Sequence, residues 1–90
     1  MIVNWTDEAK ERLLFYYDQI WQDSPGAADF VMDAILAAAA ALPDHPYIYR
    51  EGREPGTREM VVLPNYIVIY RIGLNLIDIL DVAHARQRRP

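Results

Sequence analysis

The segment Arg58–His84, REMVVLPNYIVIYRIGLNLIDILDVAH, constrains the fold most. Three stretches rich in Val, Ile and Tyr lie within it, Arg58–Leu63, Tyr66–Ile72 and Leu76–His84. Pro64-Asn65 separates the first two, and Gly73-Leu74-Asn75 the last two. β-Branched and aromatic side chains favour a pleated strand, and turns this short join strands that run antiparallel. The segment therefore predicts a three-strand antiparallel meander. One of its faces is apolar and needs a cover.

The upstream sequence supplies that cover. Thr6 is a good N-cap, and Asp7 and Glu8 fall in the first turn, where the helix dipole favours acids. Ala9, Leu13, Tyr16/Tyr17 and Ile20 then recur at helical spacing, which predicts a helix ending near Gln22. Ser24-Pro25 opens a second helix, with serine as cap and proline at the first helical position. Its buried stripe is Ala27, Val31, Ile35, Ala38/Ala39 and Leu42, and Pro43 stops it. The run Ala37–Ala41 favours helix and lets a neighbour approach closely. A join this short makes an antiparallel helical hairpin. Tyr16, Tyr17 and Trp21 are expected in the core and between the helices. With a short strand at Met1–Trp5 and a loop at Asp44–Thr57, holding a brief extended piece near Tyr47–Arg50, the order is β-α-α-β-β-β. The fold class is α+β, an antiparallel sheet packed by an N-terminal helical hairpin.

Ninety residues, 52% of them hydrophobic, suit one domain over residues 1–90, with a core small enough to benefit from a partner. The chain has no cysteine, which excludes disulfide and thiolate chemistry and fits a reducing compartment. MIVNWTDEAK has no basic stretch leading into an apolar one, so no signal peptide is expected. The apolar run Ala34–Leu42 is too short to span a bilayer. A soluble, cytoplasmic protein without membrane contact is the expectation. Two histidines without cysteine give no metal-ligand spacing, and no Gly-rich phosphate loop is present, so no cofactor or metal is expected.

Charge divides the chain. Through Tyr47, Lys10 and Arg12 stand against eight acids; from Ile48 onward, seven arginines stand against five. The net charge is -4. Every basic residue but Lys10 is arginine, whose planar fork suits phosphate or carboxylate. Period two is expected to leave the arginines, tyrosines and His84 in a shallow groove on the helix-free face. Leu80, Val82, His84 and Arg86 share one face if the last strand runs straight. His84, one of two histidines, is a candidate acid, base or phosphate donor, or simply a strand-end cap. Arg58, Arg71 and Arg86 are candidates for an anion site, or pair with Glu59, Asp78 or Asp81. Arg88-Arg89-Pro90 reads as a mobile charged extension.

The block HPYIYREGREPGTREMVVLPNYIVIYRIGLNLIDILDVAHARQRRP resembles the C-terminal half of RelE/ParE-superfamily toxins of bacterial type II toxin–antitoxin modules. Leu42-Pro43 and Pro46, Gly56-Thr57-Arg58-Glu59, Pro64-Asn65-Tyr66 with Tyr70-Arg71, and Ile79-Leu80, Val82 and His84-Ala85-Arg86 carry the resemblance. WTDEAKERLLFYYDQI is similar to the family's first helix. The resemblance implies the same β-α-α-β-β-β plan and a cognate antitoxin as partner in a toxin–antitoxin hetero-oligomer. It implies one of two activities. RelE-like members cut mRNA on the ribosome; ParE-like members poison DNA gyrase without being nucleases. On the nuclease reading, His84 would be acid or base and Glu59 a base. Arg58, Arg71 and Arg86 would clamp phosphate, and Tyr66 or Tyr70 would stack a base. The acidic chain, with no lysine in its β half, favours a protein target over a field of phosphates. The ParE-like reading is therefore preferred, with the mRNA endonuclease and a non-toxic, degenerate family member as alternatives.

Overall fold

In the computed structural model, which describes residues 1–88, five strands form one mixed sheet covered on one face by two helices. The elements are β1 (Ile2–Trp5), α1 (Asp7–Asp23), α2 (Pro25–Ala40), β2 (Arg50–Glu51), β3 (Arg58–Val62), β4 (Tyr66–Ile72) and β5 (Leu76–His84). Short 3-10 turns follow at Leu42–Asp44 and Ala85–Arg88. The helix starts follow from their caps. The Thr6 hydroxyl accepts from the Ala9 amide at 3.2 Å, and the Ser24 hydroxyl accepts from the Ala27 amide at 3.3 Å. The Tyr17 hydroxyl donates to Asp29 at 2.7 Å, pinning the two helices together.

The sheet order is β1-β5-β4-β3-β2. The meander forms as expected, and the extended piece in the loop becomes the two-residue edge strand β2. β1 is the parallel member, running beside β5 from Ile2 opposite Leu76 to Trp5 opposite Ile79. The α-helical hairpin supplies the crossover that a parallel pair needs. β3 ends at Val62 because Leu63 takes φ 56, in the left-handed region, and turns the chain back.

The core lies between helices and sheet. Ala9, Leu13 and Tyr16 of α1, Ile35 and Ala39 of α2, and Leu42 pack on Met60, Val68, Tyr70, Ile77, Ile79 and Val82. By length and composition Pro25–Asp44 would suffice to cross a bilayer. In the fold its Ala28, Ile35, Ala39 and Leu42 are fully buried against protein. A second, smaller cluster of Ile67, Ile69 and Ala83, joined by Leu80 and Ala85, occupies the helix-free face.

Candidate functional site

A β-bulge between Ile69 and Tyr70 decides which side chains share a face. Ile69 opposes Asp81 while Tyr70 opposes Ile79, so Leu80 is the extra residue. Leu80 packs with the helix-free cluster, whereas Val82 lies in the main core. The straight run that would put Leu80, Val82, His84 and Arg86 together therefore breaks twice. The bulge removes Leu80, and the 3-10 turn starting at Ala85 removes Arg86. Tyr66 and Tyr70 face the helices, at 8% and 0% exposure. The expected groove of arginines, tyrosines and His84 on the helix-free face is thus not formed. Two tyrosine rings satisfy the core's need for apolar bulk and are not open for base stacking. Burial pushes both hydroxyls above the usual tyrosine value, with Tyr16 reinforcing this at Tyr66 and Arg58 opposing it at Tyr70.

The three candidate arginines are dispersed. Arg58 opposes Tyr70 at one end of the sheet. Its guanidinium donates to the carbonyls of Tyr49 at 2.7 Å and Tyr47 at 3.3 Å and stacks over the Tyr47 ring at 5.3 Å. The Tyr70 hydroxyl donates to the Pro46 carbonyl at 2.6 Å. Arg58 and Tyr70 together hold the loop before β2. Arg71 lies on the opposite face, in register with Asp78, which accepts from the Asn4 amide side chain at 2.8 Å. Arg86 follows the end of β5, two residues beyond His84, which opposes Tyr66. Tyr66 and Tyr70 are four residues apart, about 13 Å along the strand, so Arg58 and Arg86 make no common clamp.

Glu59 is buried at 5% exposure on the helix-free face. It pairs with Arg50 at 3.1 Å and accepts from the Arg53 amide at 3.4 Å. It opposes Ile69, whereas His84 opposes Tyr66. Those two β4 positions have opposite parity, so Glu59 and His84 project from opposite faces.

His84 belongs to a different constellation, centred on the hydroxyl of Tyr16. That oxygen accepts from the His84 amide at 3.1 Å and from the Arg12 guanidinium at 3.3 Å. Arg12 also stacks on the Tyr16 ring at 5.8 Å and lies 3.9 Å from Asp81. The Tyr16 hydroxyl raises the Arg12 pKa further, against the effect of burial and with help from Asp81. Tyr16, Tyr66 and His84 form a chain of edge-to-face rings with centroids 5.5 and 5.3 Å apart. His84 Nδ1 accepts from the Arg86 amide at 3.2 Å, which caps the 3-10 turn and leaves the neutral ring's proton on Nε2. Sequence reasoning missed Arg12 and gave Tyr16 only a packing role. The i, i+4 spacing of Arg12 and Tyr16 was the available signal. Arg88 closes the 3-10 turn, while the extension expected at Arg89 and Pro90 lies outside the described residues.

A separate apolar groove of about 340 Å³ runs beside the hairpin, lined by Trp5, Leu13, Leu14, Met32, Leu36 and Lys10. A polar cleft of about 450 Å³ lies under the loop before β3, where Tyr47, Glu51, Thr57, Arg58 and Ile72 meet.

Comparison with known proteins is consistent across sequence and fold. The family model for the ParE toxin of the type II toxin–antitoxin system parDE matches residues 3–89. The chain is 40% identical over 90 residues to the protein Y4kP of Sinorhizobium fredii, covering 98% of this chain and 92% of that protein. It is 34% identical over 85 residues to toxin RelE2 of Caulobacter vibrioides, covering 92% and 93%. Its fold is similar to a solved chain of the chromosomal ParDE toxin–antitoxin system of P. aeruginosa. The TM-score there is 0.81 at 20% identity, covering 93% of this chain and 95% of that one.

Proposed function

The chain belongs to the ParE toxin family of type II toxin–antitoxin systems, and on that premise we propose that it arrests growth by binding DNA gyrase, not by cutting RNA. The observation that carries this reading is the separation of the candidate acid–base pair. Cleavage through a 2′-hydroxyl requires a base, an acid and cations around one phosphate. Here Glu59 is turned away from His84 and occupied by Arg50, and Arg58 is occupied by loop carbonyls. A net charge of -4 also opposes entry into a field of ribosomal phosphates. A protein target makes neither demand.

A cognate antitoxin is the proposed neutralising partner. The apolar groove beside the hairpin supports this, because exposed Leu14 and Leu36 there offer area that a partner would bury. An antitoxin segment laid over the sheet would meet exposed Arg71 and Arg86 more than Arg58.

The endonuclease reading keeps one observation in its favour, the half-buried His84 beside exposed Arg86. Induction of the chain in cells separates the two. Filamentation with a DNA-damage response, relieved by a co-expressed antitoxin, is the expected result. Rapid mRNA cleavage with translation arrest and no DNA-damage response would replace gyrase with the ribosome. Undisturbed growth with folded protein present would identify a non-toxic member.

A further inference from the structure

We propose that the corner where α1 meets the end of β5 is a docking site for an acidic side chain carried on an apolar segment of a protein partner, held by Arg12, Phe15, His84 and Arg86. Three donor-bearing residues meet there. Arg12 and the His84 amide reach the same Tyr16 oxygen, which sets the guanidinium beside the His84 backbone, and the Arg86 amide bonds the His84 ring. With Nδ1 accepting from the Arg86 amide, Nε2–H is the donor left to the half-buried His84 ring. The Arg86 side chain is exposed and takes no partner among the described residues. Arg12 meets Asp81 only at 3.9 Å, with both side chains substantially exposed, so it keeps donors for a second carboxylate.

Phe15 supplies the apolar half of the site. It is 50% exposed, lies one turn along α1 from Arg12 and packs edge-on against Tyr16 at 5.6 Å. Arginine beside a solvent-facing aromatic ring is the composition found at the centres of protein interfaces. The Tyr16 hydroxyl holds the Arg12 guanidinium and the edge-to-face Tyr66 ring holds the His84 ring in place before a ligand arrives, which lowers the ordering cost of binding. At 100° per residue, Arg12 and Phe15 lie on the opposite flank of the α1 buried stripe from Lys10 and Leu14. The corner is thus distinct from the apolar groove, and one ligand can occupy each.

Charge selects the ligand class. Glu8, Glu11 and Asp81 stand close to Arg12 in sequence or space. A phosphate backbone would bring several charges against those acids, whereas one carboxylate meets the arginines alone. The site is independent of which protein is the toxin's target.

The test uses the full chain, isotope-labelled and observed by NMR, titrated with the capped peptide Leu-Asp-Leu-Phe, its Leu-Asn-Leu-Phe counterpart and a short oligothymidylate. The aspartate peptide should saturably shift the His84 ring and the side-chain resonances of Arg12 and Arg86. The asparagine peptide should bind at least about tenfold more weakly, because charge-assisted hydrogen bonds are the stronger kind. R12Q together with R86Q should abolish the aspartate preference. Y16F, with melting temperature recorded to verify the fold, should weaken the aspartate peptide severalfold and leave the shifted residues the same. Equal binding of the two peptides, absence of saturable shifts at the corner, or preferential binding of the oligonucleotide would each overturn the proposal.

Discussion

Glu59 and His84 stand on opposite faces of one sheet, anchored opposite Ile69 and Tyr66 of the same strand. No rotamer change brings them to a common phosphate. His84→Gln keeps a hydrogen-bonding side chain and removes the titratable group. Growth arrest on induction should persist within about tenfold. An enzyme using His84 for proton transfer should lose about 10²–10⁴. Measuring the inducer dose needed for arrest, at matched protein level, distinguishes the outcomes.

Arg58 should behave as a structural residue. Arg58→Ala removes the donor shared by the Tyr47 and Tyr49 carbonyls and should cost about 1–3 kcal/mol in urea unfolding. Arg71→Ala, at an exposed position, should stay within about 0.5 kcal/mol. Hydrogen exchange should rise across residues 46–51 in the first variant only.

Alkaline pH should destabilise the fold through Tyr66 and Tyr70. Burial raises both hydroxyls above the ordinary value of 10.0, so the folded protein holds its phenolic protons more tightly than the unfolded chain. The contribution is fully present below pH 10.0 and is lost as pH rises through the folded values. Melting temperature should be level with respect to these groups on the neutral side and fall above pH 10.0. Tyr70→Phe should make that fall shallower, while lowering neutral stability by about 0.5–1.5 kcal/mol through the lost bond to Pro46.

The alanine run should respond by face. Ala39 is fully buried, and Ala39→Leu should destabilise by about 1–3 kcal/mol through overpacking. Ala40 is exposed at the end of α2, and Ala40→Leu should be nearly neutral. Thermal melts of the two variants, side by side, provide the measurement.

Local chemistry made much of the fold legible. Thr6, Ser24 and Pro25 start the helices where their capping groups dictate, and Pro64-Asn65 and Gly73-Leu74-Asn75 separate strands whose limits follow Val, Ile and Tyr content. The site was less legible because its geometry is non-local. The bulge at Leu80 leaves no residue-type signature in β5, yet it sets which residues join Val82 in the core. Alternation pairs tyrosines correctly with one another but does not say which face meets the helices. The Tyr16–His84 bond spans 68 positions and depends on how α1 lies across β5. Arg58 reads as a free cation in sequence because backbone carbonyls, its actual partners, carry no letter of their own.

The parallel pairing of β1 with β5 also sets an order of events during synthesis. Ile2, Val3, Asn4 and Trp5 have no strand to join until Leu76–Ile79 exist, and Thr6 waits for the Ile79 carbonyl that its amide and hydroxyl both reach. The helical hairpin is translated early and can gain helix locally, but its apolar stripe remains exposed until the meander arrives. Such high sequence separation between contacting strands slows folding and delays cooperative closure. A nascent chain arrested anywhere before Leu76 therefore lacks β1's neighbour and the scaffold that carries His84. The surface that a partner or target would meet is thus completed only near the end of translation.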